Sequence, residues 1–225
     1  MKITWLGQAG LLFETRGKII MIDPYLSDSV AKIQPQNKRR VPVDESLFDI
    51  TPDVIILTHD HLDHTDPETL CHYLKKDSDV LVLASPNAWK KVREEFPGTN
   101  NNYVMFAKGT EWSLDGIRFK AVYAEHSDFA AIGVIIYAEG KVYYVTGDTL
   151  YNESVFASLD ENIDYVFLPV NGVGNNMNFE DGKRFCERIN AHAIPLHCGL
   201  FDSLSLYDFT YENKTVPEFY KEIKL

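Results

Sequence analysis

The sequence of 225 residues contains few cysteines, namely Cys71, Cys186 and Cys198. Three is an odd number and no pair has the Cys-x-x-Cys spacing, so a disulfide framework is not indicated and a reducing compartment is favoured. The sequence also lacks a run of about 20 apolar residues, the length that a membrane-spanning helix needs. Its first residues have the pattern of a strand and contain no apolar leader. We therefore predict a cytoplasmic protein without membrane insertion.

Positive charge is scarce as well, since 22 Lys and Arg stand against 33 Asp and Glu and the net charge is -11. Nucleic acids and anionic membranes are bound largely through positive fields. The charge therefore argues against nucleic acid as a partner, although acidity also serves solubility. With 45% hydrophobic residues, the chain is long enough for one domain, which we predict over residues 1–225.

Twelve short segments have the apolar or β-branched composition that is typical of strands. They are residues 3–6, 11–14, 19–22, 54–58, 80–84, 103–106, 111–114, 117–124, 132–137, 141–146, 165–168 and 193–196. Helices are predicted at about 67–75, 87–95, 152–159 and 179–190, with a short one near 217–223. Residues 25–50 show no period and predict a long exposed loop. Strands gathered at the start and middle, leading into strand–helix units, predict an α/β fold, a four-layer αββα sandwich.

The densest cluster of chemically active side chains is His59-Asp60-His61-Leu62-Asp63-His64. It follows the apolar segment 54–58 and precedes Asp66-Pro67, a favourable helix start. The cluster therefore lies at a strand-to-helix turn, where ligand sites of α/β sheets usually occur. Three imidazoles and two carboxylates in six residues indicate a divalent-metal site, with a polar helix-capping cluster as the structural alternative.

Three more metal-binding side chains follow apolar runs at predicted strand ends: His126, Asp148 and His197. Alone, each has an ordinary explanation, because a histidine at a strand end is usually hydrogen-bonded and a Gly-Asp pair is usually a turn. Together with the 59–64 cluster, they predict a two-metal site built from several strand ends.

These residues, in this order, resemble the metallo-β-lactamase superfamily over nearly the whole chain. The resemblance implies one metal on His59, His61 and His126, a second on Asp63, His64 and His197, and Asp148 bridging the two. Asp23, in Ile22-Asp23-Pro24, matches a further family position that supports the metal loop without being a ligand.

Departures from family patterns narrow the resemblance. Asp148 stands where some antibiotic-hydrolysing members have cysteine, and His61 stands where flavodiiron-type members have glutamate. The inserted domain of the RNA-cleaving members and the C-terminal helical domain of the thiolester-cleaving members have no counterpart. The remaining likeness is to the compact branch that includes the L-ascorbate-6-phosphate lactonases and related hydrolases.

The expected chemistry is hydrolysis by a hydroxide that bridges two divalent ions, with zinc the first choice and manganese or iron the alternatives. Asp63 and Asp148 are the predicted catalytic carboxylates, and Asp63 could carry the proton to the leaving group. The substrate is expected to be a small anionic metabolite, with a lactone of a phosphorylated sugar acid as the best guess. A phosphodiesterase for nucleotides or phospholipid headgroups is the alternative enzyme. A non-catalytic metal-sensing or redox protein is the alternative of another class.

Substrate contacts are predicted at Gln8, Asn171, Gly172, Arg39 and Arg40. Asn171 and Gly172 begin a glycine- and asparagine-rich loop that could bind an anion through backbone N–H groups or be an ordinary loop. Arg39 and Arg40 could meet a phosphate, although a solvated loop is the preferred interpretation. The oligomeric state is left open, with a homo-oligomer as one expectation.

Overall fold

The computed structural model describes residues 1–160 and 162–225. In these ranges, twelve strands form two six-stranded sheets, ordered β1-β2-β3-β4-β5-β6 and β12-β11-β10-β9-β8-β7. The strands are β1 Lys2–Gly7, β2 Gly10–Thr15, β3 Lys18–Ile22, β4 Val54–Leu57, β5 Leu81–Ala84, β6 Asn102–Met105, β7 Glu111–Leu114, β8 Ile117–Tyr123, β9 Ile132–Ala138, β10 Lys141–Val145, β11 Tyr165–Pro169 and β12 His192–Leu196. All twelve predicted strands are therefore present, with ends shifted by one residue at most.

The described residues also form five α-helices, most of them short. They are α1 Ser29–Ile33, α2 Pro67–Leu70, α3 Pro86–Glu95, α4 Glu153–Phe156 and α5 Phe179–Ile189, with 3-10 turns at Pro35–Asn37, Glu45–Asp49 and Leu206–Asp208. The helix predicted at 67–75 is regular only through Leu70 and continues as turns, and the one predicted at 152–159 is regular only over Glu153–Phe156. Within the described residues, no helix has the length and apolar character needed to cross a membrane.

Successive side chains of a strand point to opposite sides of the sheet. In the first sheet both of these faces are buried. One face packs on the second sheet, where the ring of Phe13 meets those of Tyr143 and Phe167 at centroid distances of 6.2 and 5.6 Å. The other face belongs to a separate apolar cluster that contains side chains of β1 to β5 and of the α2 and α3 regions.

The second sheet is covered on its outer side by α4 and α5. Phe185 of α5 packs on Tyr144 of β10, with ring centroids 6.3 Å apart, and on Phe156 of α4, at 4.8 Å. Helices, sheet, sheet and helices thus form the predicted four layers, and the α/β sandwich is confirmed. One domain over residues 1–225 stays a prediction.

The carboxyl ends of the parallel strands meet along one edge of the sandwich. β3 to β6 are parallel, and so are β10 to β12. The two sheets approach closely at this edge, where the Ile132 amide of β9 donates to the Thr58 carbonyl at 3.0 Å. Gly147 lies between them with φ +61°, and a Cβ atom there would lie 2.7 Å from the Ile132 carbonyl oxygen. Only glycine fits this crossing without displacing backbone.

The short helix predicted near 217–223 is wrong. The chain over residues 213–223, which we name the C-terminal strap, contains a turn at residues 219–220 and pairs with two strands. Its first part bonds to β12, where the Ala193 amide donates to the Asn213 carbonyl at 2.9 Å, and its last part bonds to β1, where the Ile223 amide donates to the Ile3 carbonyl at 2.7 Å. Phe219 stacks on Trp5 of β1 at 4.2 Å. The strap therefore covers the outer edges of both sheets, which unpaired would invite aggregation.

The prediction of an exposed loop over residues 25–50 needs correction as well. The segment contains α1 and two 3-10 turns, and Tyr25, Leu26, Val30 and Leu47 are buried. Its apolar residues are too widely spaced to give a periodic pattern, although they pack on the body of the protein.

Candidate metal centre

The 59–64 loop is fixed by hydrogen bonds on both sides. At its start, the Thr58 amide donates to Asp23 Oδ1 at 2.8 Å. At its end, the Thr65 hydroxyl donates to the His59 carbonyl at 2.6 Å, and Asp66 caps α2 by accepting from two amides. These bonds lie in the buried part of the loop, so its imidazoles and carboxylates are held in place.

Three imidazoles form the first ligand group: His59, His61 and His126. Their ligand atoms all lie within 4.8 Å of one another, and His126 Nε2 is 3.2 Å from His61 Nδ1. Thr58 Oγ1 lies 3.1 Å from His59 Nδ1, whereas His59 Nε2 is buried without a hydrogen-bond partner. A buried nitrogen without a partner is costly, and a metal ion at Nε2 would remove that cost.

The second ligand group contains Asp63, His64 and His197, again with ligand atoms within 4.8 Å of one another. The Nε2 atoms of His64 and His197 face each other at 3.3 Å. They converge on the carboxylate of Asp148, whose Oδ2 is 3.4 Å from the first and 3.3 Å from the second. The other oxygen, Asp148 Oδ1, is buried without a partner. Two nitrogens and a carboxylate aimed at one point form a typical cation site.

Asp23 lies behind this group and is fully buried. Its Oδ2 accepts from the Thr58 hydroxyl at 2.5 Å and from His64 Nδ1 at 2.8 Å. A hydrogen bond at Nδ1 leaves the lone pair of His64 on Nε2, the atom that faces Asp148. Asp23 thus orients a candidate ligand histidine without itself being among the residues that line the cavity.

Three amide side chains surround the second group. Gln8 Nε2 donates to Asp63 Oδ2 at 3.0 Å, and Asn171 Nδ2 lies 3.0 Å from His197 Nδ1. Asn176 Nδ2 donates to Asp148 Oδ2 at 2.8 Å. Asn176 and Thr58 were not predicted as functional residues. Asn176 lies in the same loop after β11 as Asn171, and that loop is the signal that could have identified it.

Charge and burial set the protonation of the centre. Burial lowers the pKa of His59 well below its usual value, with the neighbouring His64 adding to the effect. Burial also lowers the pKa of His64, but the carboxylates of Asp148, Asp63 and Asp23 outweigh it and hold that pKa well above its usual value. Burial raises the pKa of Asp148, but His197 and His64 outweigh it and hold that pKa well below its usual value. A neutral His59 and an ionised Asp148 are the forms that bind metal, while a proton competes for His64.

The donor set fits divalent metal ions. It combines five imidazoles with the carboxylates of Asp63 and Asp148, a mixture that zinc, manganese and iron all accept. The buried atoms without protein partners, His59 Nε2 and Asp148 Oδ1, are suited to bind a cation. The structure therefore brings together all seven residues that the sequence analysis selected as ligands.

A cavity of about 630 Å³ opens over the centre, and Asp63, Asp148, His197, Gln8 and Asn171 are among its lining residues. Two predicted substrate contacts, Gln8 and Asn171, thus face the cavity.

The other predicted contacts lie outside the lining. Gly172 is exposed, and its amide donates to the Met177 carbonyl. The Arg39 guanidinium donates to the Tyr25 carbonyl at 2.8 Å and to the Tyr220 hydroxyl at 2.6 Å, so it ties the 25–50 segment to the C-terminal strap. Arg40 is exposed, and its amide donates to the Leu200 carbonyl. We therefore do not carry these three forward as substrate contacts.

A family model described as the beta-lactamase superfamily domain matches residues 2–197. This match includes every predicted ligand. A UPF0173 metal-dependent hydrolase from Ligilactobacillus salivarius is 30% identical over 229 residues, which cover 97% of this chain and 94% of that protein.

Solved structures show the same fold. A possible metal-dependent hydrolase from Veillonella parvula superposes with a TM-score of 0.81 at 20% identity, over 100% of this chain and 99% of the other. An isothiocyanate hydrolase from Delia radicum gut bacteria superposes with a TM-score of 0.77, also at 20% identity and with the same coverage. Likeness at this level of identity concerns the fold only.

Proposed function

This chain belongs to the metallo-β-lactamase superfamily, and from that premise we propose that it is a metal-dependent hydrolase. The observation that carries the proposal is the pair of neighbouring His/Asp ligand groups, the second of which converges on the Asp148 carboxylate, together with the buried atoms His59 Nε2 and Asp148 Oδ1 that have no protein partner. Buried polar groups normally have partners, and a bound ion is one explanation for those that have none.

We propose that the centre holds two divalent ions, one on His59, His61 and His126 and one on Asp63, His64 and His197. Asp148, whose Oδ2 faces His64 and His197, would complete the donor set. Zinc is the first choice, with manganese and iron as alternatives. Two such ions, when bound, would supply a hydroxide nucleophile at neutral pH and polarise the bond that is attacked.

The residues of the chain would orient the reactants and move the proton. Asp63 borders the cavity with its side chain 19% exposed, so it can reach both the nucleophile and the substrate. Gln8 holds one oxygen of Asp63 and leaves the other for proton transfer to the leaving group. Asn171, beside His197, is placed to donate its amide to a substrate oxygen.

The bond that we propose for cleavage is a lactone or ester, in line with the likeness to the lactonase branch. A lactone of a phosphorylated sugar acid, the best guess from the sequence, places an anion near the ions, which would attract it. Among the described residues that line the cavity, however, none is Lys or Arg. The phosphate of such a lactone would therefore have the metal ions as its cationic partners and no Lys or Arg of the lining.

We also propose a cytoplasmic location. All three cysteines, Cys71, Cys186 and Cys198, are free thiols. Free thiols fit a reducing compartment better than an oxidising one.

The test measures metal content and hydrolysis together, on a sugar lactone phosphate, on neutral lactones and on bis(p-nitrophenyl) phosphate. We expect two metal ions per chain and lactone turnover that a chelator abolishes. The His61→Ala variant should lose one ion and reduce kcat by at least about 100-fold, since a ligand of the centre is removed.

His72→Ala is the matched control, because His72 is exposed and stacks on Phe48 away from the cavity. It should keep both the metal content and the turnover of the wild type. Faster cleavage of the phosphodiester than of any lactone would favour the phosphodiesterase. Full metal content without turnover of any substrate would favour a sensing or redox role, and less than one bound ion per chain would refute the dinuclear centre.

A further inference from the structure

Five of the residues that line the cavity are apolar, and metal binding does not account for them; we name them the apolar wall. Its side chains are Val30, Ile33, Leu62, Val173 and Phe201. Leu62 and Phe201 are half-buried and pack on the cluster of Tyr25, Val30 and Leu200, so this part of the wall is fixed. It faces the same space as the metal-ligand residues, and a molecule held there would reach them.

Two large apolar side chains at the rim of this cavity are exposed. Ile33 ends α1 with 73% of its surface exposed, and Val173, in the loop after β11, is 63% exposed. They belong to different segments and both line the cavity. Exposed apolar groups at the mouth of a groove commonly mark a ligand contact, because covering them releases water.

The charge of the wall disfavours an anion away from the metal centre. Within the described residues, no Lys or Arg lines the cavity. The lining includes the carboxylate of Asp202, which accepts from the amides of Gly199 and Leu204 at 2.8 and 2.9 Å. Gln34 and Asn37 at the rim are neutral and bond to each other. An anionic group away from the metal centre would meet a carboxylate and no cation.

We propose that this wall binds an uncharged, apolar arm of the substrate, an alkyl or aryl group attached to the bond that is cleaved. The reacting end would lie at Asp63, Asp148 and His197. The volume of about 630 Å³ suits such a molecule, since sites for organic ligands span about 300–1,000 Å³. This inference rests on the proposed hydrolase function, because it assumes that the bound molecule is the substrate. Binding of an apolar molecule to the wall can nevertheless be measured without hydrolysis.

The first test compares δ-valerolactone, δ-decanolactone and 6-phosphogluconolactone with the metal-loaded enzyme. Each methylene that the wall covers should raise kcat/KM by up to about fourfold. We expect δ-decanolactone to exceed δ-valerolactone by at least tenfold and to exceed the phosphorylated lactone. No dependence on chain length, with the phosphorylated lactone preferred, would overturn the inference.

The second test uses the Ile33→Lys variant, with Met105→Lys as control. Both positions are exposed, and Met105 lies on β6 outside the cavity. Ile33→Lys should lower the ratio of δ-decanolactone to δ-valerolactone kcat/KM by about tenfold, because a charged group replaces apolar surface. The control should keep the wild-type ratio. An unchanged ratio in Ile33→Lys would count against the wall as the binding surface.

The third test separates this inference from the hydrolase function. N-phenyl-1-naphthylamine, a neutral apolar fluorophore, should bind the wild type and Met105→Lys equally and Ile33→Lys about fivefold or more weakly. That result with no hydrolysis of any lactone or ester would leave the apolar site standing and refute the hydrolase. Lactone turnover with fluorophore binding that is absent, or equal in all three proteins, would refute the apolar site and leave the hydrolase function supported.

Discussion

A single amide, that of Asn176, holds the carboxylate on which His64 and His197 converge. Its Nδ2 donates to Asp148 Oδ2, and Asn176 is itself buried in the loop after β11. The carboxylate is thereby kept in one rotamer while Oδ1 stays unpartnered. Residues that orient a metal-binding group in this way contribute to affinity without touching the ion.

We therefore expect Asn176→Ala to weaken metal binding by about 10- to 100-fold, since Asp148 loses its donor. The measurement is a competition titration against a chelator of known affinity. Asn102→Ala, an exposed position on β6, serves as the control and should bind like the wild type. Equal affinities in all three proteins would contradict the role of Asn176.

The proximity of the candidate ligands could be predicted because they follow apolar strand patterns in the sequence. Asp148 and His197 are polar residues directly after strand patterns, and parallel strand ends meet in space. Only its place in the asparagine-rich loop after β11 pointed to Asn176, because its partner Asp148 is 28 residues away and no local pattern links the two. The hydrogen bond of Arg39 could not be predicted for a similar reason, since its partner Tyr220 is 181 residues away.

At the scale of elements, Gly147 lets β10 cross the edge where the two sheets meet. We expect Gly147→Ala to lower the free energy of unfolding by about 3 kcal/mol or more, because the added Cβ would lie 2.7 Å from a backbone oxygen. Urea denaturation measures this change.

The Gly147→Ala variant should lose stability both from its left-handed backbone and from the close contact of its Cβ. The Gly140→Ala variant separates these two effects. Gly140 also has a positive φ, +75°, but a Cβ there would meet nothing within 4 Å. This variant should lose only the about 1–2 kcal/mol that a left-handed backbone costs an L-residue. Equal losses at both positions would show that the close approach at Gly147 is unimportant.

The elements that sequence patterns missed are those that depend on distant partners. The spacing of Phe219, Tyr220 and Ile223 suits a helix turn, yet Phe219 stacks on Trp5 and the Ile223 backbone pairs with β1. Hydrogen bonds to a strand edge more than 200 residues away therefore outweighed local propensity. The strands, by contrast, are specified by their own apolar composition.

At the scale of the molecule, metal binding and folding stability should be linked through pH. His64 has a pKa held well above its usual value by three carboxylates, although burial lowers it. Its proton stabilises the metal-free fold fully below the unfolded pKa of about 6.5, and this contribution is lost as the pH rises through the folded pKa. A metal ion must displace that proton, so its stabilising effect should grow with pH.

We expect the difference in Tm between zinc-loaded and chelator-treated protein to increase from pH 5 to pH 8. Thermal unfolding followed by fluorescence at each pH measures it. His72→Ala should show the same trend, which would exclude an exposed histidine as the cause. A difference that is constant or that shrinks with pH would contradict proton competition at His64.

The C-terminal strap also bears on how the protein forms during synthesis. Every predicted metal ligand lies before residue 198, whereas the strap that pairs with β1 and β12 lies at 213–223. A nascent chain would thus expose all of its imidazoles and carboxylates to cellular metal while two sheet edges were still open. Domains fold as the chain emerges from the ribosome. The candidate ligands would therefore be available before the strap covers β1 and β12. At that stage, unsuitable metal ions and foreign strands have access to the protein.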